Sequence, residues 1–201
     1  MRHNRLTTPP SPDETILVTD SIFKNNGSFG GLEHAIYVTG ISLTVSGSTF
    51  CGTTTGHDIK SGAQSTTVTN SQIYDGAAYA DCPESTTSYG IDVPNGGKVV
   101  IDSNQIIQGP AGPNHTMVSY GEEGLTFADN SFIVSNTNFI SSGVPAIGIR
   151  EPTCLVPVQL SNDTFQGVAT PVSPAGCSVN VPVPEPQSLW LLLTALGALA
   201  E

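Results

Sequence analysis

The chain has 201 residues, which suits one domain or one domain with a tail. Hydrophobic residues make up 38% and charged residues 11%, with 21 glycines and 15 prolines, which excludes a disordered chain and argues for short strands separated by turns rather than long helices. The formal net charge of −11, with six Lys and Arg residues, excludes the basic surface that a nucleic-acid partner requires.

Residues 1–14, MRHNRLTTPPSPDE, are polar and rich in proline, and they lack the apolar core of a signal peptide. They are expected to be disordered or truncated, as in a sequence that starts inside a longer gene product. From Ile16 onward one pattern recurs: an aliphatic residue, three small or polar residues, any residue, then an aromatic or Ile. Copies begin at Val18 (VTDSIF), Val45 (VSGSTF), Val68 (VTNSQI), Ile101 (IDSNQI), Val134 (VSNTNF) and Leu160 (LSNDTF). The intervals are 27, 23, 33, 33 and 26 residues, the spacing of a solenoid repeat with insertions in its loops. Ahead of most copies lies a second apolar run: AIYV (35–38), DIKS (58–61), GIDV (90–93), TMVSY (116–120) and AIGIR (146–150).

Parallel stacking explains the pattern. The first aliphatic and the later Phe or Ile point inward onto their counterparts one coil away, at a strand spacing of about 4.8 Å. Asp20, Gly47, Asn70 and Asn136 fall at a bend, where these residue types tolerate a left-handed backbone and stacked Asn side chains can bond along the ladder. No single coil buries its apolar face alone, so stability is collective. An antiparallel sandwich would explain the strand density but not the recurring bend. The insertions 76–88 and 109–115 are expected to leave one side of the coil, and GPAGP (109–113) supports that.

Four cysteines, Cys51, Cys82, Cys154 and Cys177, form no CxxC pair and have no close His partner, which argues against zinc. An even count suits disulfides in an exported chain. Of three connectivities, Cys51–Cys82 and Cys154–Cys177 are favoured, because each joins loops one coil apart. After Cys177, residues 181–188 (VPVPEPQS) form a proline-rich linker, and LWLLLTALGALA (189–200) is an unbroken apolar run. As a helix of 12 residues it falls short of the ~30 Å hydrocarbon core of a bilayer. It reads as a short apolar helix that caps the solenoid or forms an incomplete anchor.

The repeated bend, together with HAIYV (34–38), HDIKS (57–61) and YGIDVPNGG (89–97), resembles the right-handed parallel β-helix repeat proteins. That architecture is shared by pectate lyases, polygalacturonases and alginate epimerases. The resemblance implies an all-β domain over 15–180, a right-handed parallel β-helix of about 5–6 coils. It is specific for fold and not for activity, since the fold hosts lyases, hydrolases, epimerases and non-catalytic proteins.

The tail VPEPQSLWLLLTALGALA (183–200) is similar to a PEP-CTERM sorting signal, with Val183-Pro-Glu-Pro186 as its box. Glu201 stands where that signal carries a basic cluster. The resemblance implies export in a Gram-negative bacterium and processing by an exosortase-type enzyme. It also implies a place at the cell envelope, with membrane contact confined to 189–201.

Candidate chemistry follows from aligning the second runs on Ile36, Ile59 and Ile91 as inward residues. Tyr37, Lys60 and Asp92 then face outward, with Asp58 beside them and His34, His57 and Tyr89 along the edge. His115 joins that file if Met117 is the next inward residue. A lyase or epimerase acting on extracellular polysaccharide needs a cation for the substrate carboxylate, a base and an acid. Lys60 or a His would be the base, and Tyr37 or Tyr89 the acid. A hydrolase would use a carboxylate pair, Asp58 with Asp92. The bland reading of the same residues is a solvated charge ladder with turn-bonding histidines. Glu122 and Glu123, adjacent in SYGEEG, would be a Ca²⁺ ligand pair or a solvated turn. Arg150-Glu151 reads as a surface pair. No HExxH, GxSxG, Walker or Rossmann pattern is present, so nucleotide, flavin and zinc-protease chemistry is set aside.

Overall fold

The computed structural model describes residues 14–27 and 33–181. The segment 1–13, the linker beyond Val181, the sorting-type box and the apolar run with its expected helix lie outside the described residues.

Among the described residues there are seventeen strands and no α-helix. The first repeat supplies β1 (Thr15–Thr19) and β2 (Ile22–Lys24), and the second β3 (Ile36–Ser46) and β4 (Thr49–Cys51). The third supplies β5 (His57–Thr69) and β6 (Gln72–Asp75), and the fourth β7 (Tyr89–Val93), β8 (Lys98–Asp102) and β9 (Gln105–Gln108). The fifth holds β10 (Thr116–Tyr120), β11 (Ser131–Ser135) and β12 (Asn138–Ser141). The sixth holds β13 (Ile147–Arg150), β14 (Val158–Ser161) and β15 (Thr164–Gln166), followed by β16 (Thr170–Ser173) and β17 (Ser178–Asn180).

Every strand pairing is parallel and joins one repeat to the next. The strands form an eleven-stranded and a six-stranded sheet. β5 belongs to two faces at once, because its first half pairs with β7 and its second half with β8. An all-β chain of parallel strands stacked repeat on repeat is compatible with the expected solenoid.

The recurring motif sets the register. Val18, Val45, Val68, Ile101, Val134 and Leu160 are successive partners in one ladder. Phe23, Phe50, Ile73, Ile106, Phe139 and Phe165 are successive partners in another. Both files fill the core, and most of their members are fully buried. Each fully buried aliphatic or aromatic side chain contributes about 1.5–3 kcal/mol. The rings Phe23–Phe50 and Phe139–Phe165 stack with centroids 4.8 Å apart.

Between the two files the chain bends. Asp20, Asn70, Ser103, Asn136 and Asn162 all have φ between 49° and 59°, and Gly47 has 61°, the left-handed conformation expected there. On the outside, the Asn136 side chain donates to Asp102 (2.8 Å) and that of Asn162 to Asn136 (3.2 Å). On the inside runs a second ladder that the sequence reading did not single out. The backbone N–H groups of Ser21, Ser48, Ser71, Asn104 and Thr137 donate to side-chain oxygens of Ser48, Ser71, Asn104, Thr137 and Asp163, one repeat onward. Thus a polar residue always follows the bend, because its oxygen is the acceptor for the repeat below.

Both favoured disulfides are present, Cys51–Cys82 and Cys154–Cys177. Two disulfides fit an oxidising, non-cytoplasmic compartment. The segment 109–115 stays close to the stack: Gly109 donates its N–H to the Asp75 carbonyl, and a Cβ at Gly109 would sit 2.1 Å from the Gly76 carbonyl oxygen. Only glycine fits there, which accounts for the start of GPAGP.

Candidate functional site

Each repeat has a first leg (the first halves of β3 and β5, then β7, β10, β13 and β16), a second leg (β1, the second halves of β3 and β5, then β8, β11, β14 and β17) and a third leg (β2, β4, β6, β9, β12 and β15). The first legs carry the candidate residues, and their register is Ile36, Ile59, Ile91, Val118, Ile149 and Val172. Alternation from that file turns Tyr37, Lys60 and Asp92 to the outer side of neighbouring strands, where Tyr37 pairs with Lys60 and Lys60 with Asp92, but the expected exposure of Asp92 is corrected, since it is covered and only 3% exposed. Lys60 Nζ lies 3.5 Å from Asp92 Oδ2 and 5.9 Å from the centre of the Tyr37 ring, which is itself 60% exposed. These three residues do come together.

The histidines join them along one edge. His34 and His57 stack with ring centres 4.7 Å apart, Tyr37 meets His34 edge-on, and Tyr89 lies 5.1 Å from His57. His57 donates its backbone N–H to His34 Nδ1 (3.0 Å), which makes His34 Nδ1 an acceptor in a neutral ring. His57 Nε2 is 3.4 Å from Asp92 Oδ2. His115 does not extend this file. Thr116, not His115, pairs with Tyr89, because Val118 rather than Met117 occupies the position of Ile91.

Glu122 and Glu123 enter the cluster from the loop after β10. Lys60 donates to Glu123 (3.1 Å), the Tyr89 hydroxyl to Glu122 (2.9 Å), and Arg150 Nε approaches Glu122 at 2.8 Å. The expected Ca²⁺ ligand pair is thus divided between cationic and phenolic partners. The Glu123 backbone N–H donates to the Pro94 carbonyl, so PNGG (94–97) holds this loop over the first legs. The reading of Arg150-Glu151 as a surface pair is corrected: Arg150 reaches Glu122, whereas Glu151 is fully buried and accepts from Thr153. The two insertions expected to leave the coil, 76–88 and 109–115, contribute differently here. Asn114 of the second reaches Tyr89, while Ser85 and Thr87 of the first turn inward toward Asp75.

Asp58 is the clearest correction. It was placed outward beside Lys60, and it is fully buried. Asp58 and Ile59 are adjacent in β5 and both 0% exposed, so alternation does not decide burial at this position. Gly90 occupies the matching position one repeat on, and a Cβ there would meet the side chains of Ile73 and Ile106 in the core. The hydrolase pair Asp58 with Asp92 therefore does not exist on this face.

The electrostatics of the face follow from its partial burial. Burial pushes the Asp92 carboxyl up to about 6, against the pull of Lys60, with Glu123 and Glu122 adding to the rise. Burial lowers His57 to about 3, helped by His34 and Lys60, and His34 is lowered for the same two reasons of burial and Lys60. Burial alone would lower Lys60, but hydrogen bonds and charge from Glu123 and Asp92 outweigh it and hold the ammonium above its ordinary value. Burial and Glu122 push the Tyr89 phenol up to about 12. At neutral pH the face therefore presents neutral imidazoles, a firmly protonated Lys60 and an Asp92 poised to exchange a proton. Lys60 is a fixed cation here and not a base.

No protein-family model, curated protein or solved structure matches the chain.

Proposed function

We propose that the chain is an exported right-handed parallel β-helix protein that binds or processes extracellular polysaccharide through its first-leg face. Placement at the envelope of a Gram-negative bacterium, with an exosortase-type enzyme acting at the Val183–Pro186 box, belongs to the same proposal. The observation that carries it is the convergence of Tyr37, Lys60 and Asp92 with the His34–His57–Tyr89 edge on adjacent parallel strands. An exposed Tyr37 ring offers an apolar face for a sugar ring to stack on. Lys60 is placed to receive a carboxylate or hydroxyl, and Asp92, with its raised value, to take up a proton at neutral pH. A lyase or epimerase uses that combination, while a hydrolase lacks its expected pair.

A second reading, a non-catalytic surface or matrix protein with the stack as a rigid scaffold, is favoured by one observation. Lys60 is held between Asp92 and Glu123, and Arg150 is held by Glu122, so the cations already have partners. The test is a panel of acidic and neutral polysaccharides, scored for binding and for depolymerisation with wild type, Lys60→Ala and Asp92→Ala. The first reading expects at least a tenfold loss of binding or turnover in both variants. Equal behaviour of all three proteins removes the site and leaves the scaffold.

A further inference from the structure

Where the third leg of one repeat turns into the first leg of the next, two carboxylates are enclosed in the stack. Asp58, at the start of β5, and Asp75, the last residue of β6, are both 0% exposed. Thr53, Thr87 and Gln108 share the corner and are equally inaccessible. Asp75 accepts from the Thr87 hydroxyl and from the Gly90 N–H. Gln108 stands one repeat above Asp75 in register, with its amide N–H directed at the carboxylate and at the Gly109 carbonyl (3.1 Å), and the Thr53 hydroxyl is directed at Asp58, so the Gln108 amide would turn over to offer its oxygen to an ion.

These contacts leave much unsatisfied. Both oxygens of Asp58, Oδ2 of Asp75, Oε1 of Gln108 and Oγ1 of Thr53 have no hydrogen-bond partner. Neither acid forms an ion pair with a Lys, Arg or His among the described residues. An uncompensated buried carboxylate costs several kcal/mol, and each orphaned oxygen about 1–3 kcal/mol more. Protons would neutralise the two acids and, with the Thr53 hydroxyl, supply three donors for five orphaned oxygens. A hard cation bound between the acids would neutralise both and serve as a partner to the oxygens that face it.

We propose that this corner is an internal Ca²⁺ site, held by the carboxylates of Asp58 and Asp75, the amide oxygen of Gln108 and the hydroxyl of Thr53. The donor set is all oxygen, as Ca²⁺ prefers, and it is drawn from three successive repeats, with Thr53 after β4, Asp58 and Asp75 in the third repeat and Gln108 at the end of β9. The ion would tie the end of β6 to the start of β5 and hold the first leg, and with it His57 and Lys60, at a fixed angle. Burial pushes Asp58 up to about 7 and Asp75 well above its ordinary range, as acids without a counter-charge should behave. The site is independent of the polysaccharide reading, because none of its ligands lies on the outer face.

The test uses the full chain, purified without chelator, with calcium content measured by atomic emission and melting followed before and after EGTA. One Ca²⁺ per chain is expected, with a fall of roughly 5–10 °C in melting midpoint on chelation and recovery on adding CaCl₂. Asp58→Asn/Asp75→Asn should hold none and melt identically with and without EGTA, whereas Glu122→Gln/Glu123→Gln should keep the ion. Should the double Asp variant fail to fold, the near-isosteric Thr53→Val should bind Ca²⁺ at least tenfold more weakly by calorimetry. The proposal is overturned by wild type that holds no calcium and ignores EGTA. It is equally overturned by calcium lost only from the Glu122/Glu123 variant, or by unchanged affinity in Thr53→Val.

Discussion

Two buried polar positions, the bend after the second leg and the corner before the first leg in the middle repeats, are settled in opposite ways. At the bend the buried residues Ser48, Ser71, Asn104 and Thr137 each accept a backbone N–H from the repeat below, so the ladder is closed. At the corner Asp58, Asp75, Gln108 and Thr53 keep oxygens with no partner. The bend is architecture, repeated in every coil with the same role. The corner is particular to three successive coils, and its unsatisfied oxygens are what a ligand would use.

The contrast is sharpest in pH dependence. Asp58 and Asp75 have folded-state values above the ordinary carboxylate value of 3.8, so between about pH 4 and 7 the folded protein binds more protons than the unfolded chain. The sign is therefore a loss of calcium-free stability as pH rises through that window. Asp58 alone would contribute a loss on the order of 4 kcal/mol. Asp58→Asn/Asp75→Asn in EGTA should lack this component, which urea unfolding at pH 5 and pH 8 would measure. A flat difference between variant and wild type would mean that the two acids are not buried as described.

Breaking the ladder comes next. Asn104→Ala removes the acceptor of the Ser71 N–H and the donor to the Val68 carbonyl. Two buried groups left unpaired should cost roughly 2–5 kcal/mol in denaturant unfolding, independent of pH and of calcium. A cost below 1 kcal/mol would show that the inner ladder is incidental. The smallest effect belongs to the outer rim. Asn162→Ala loses an exposed bond to Asn136 and strains a φ of 59°, for about 1 kcal/mol, while Asn162→Gly should recover most of it. Equal stability of the two variants would separate the bend from backbone strain.

The same contrast explains what could be read from the sequence. The register was legible because the motif repeats the chemistry of stacking: an aliphatic, a left-handed bend, then an aromatic or Ile. The disulfides followed, since loops one coil apart are neighbours. Tyr37, Lys60 and Asp92 were legible as a file for the same reason. Glu122 and Glu123 were visible only as a pair, because what brings them over Lys60 is a loop anchored on Pro94, not a repeat. Asp58 was misplaced because alternation expects an exposed neighbour beside each inward residue, and here Asp58 and Ile59 are both enclosed. Gly90, at the matching position, was the available signal: the next repeat has no side chain there because the position faces the core.

The disulfides have a mechanical consequence. Cys51–Cys82 fastens the second repeat to the loop after the third, and Cys154–Cys177 closes the last coil. Between them, the repeats that begin at Ile101 and Val134 share no disulfide and meet through strand hydrogen bonds, stacked side chains and side-chain bonds such as Asn136 to Asp102. A load drawn along the stack is carried covalently near both ends and non-covalently in the middle. Covalent reinforcement of the stack therefore lies near its two ends, and the contact of β8 with β11 is held by non-covalent bonds alone.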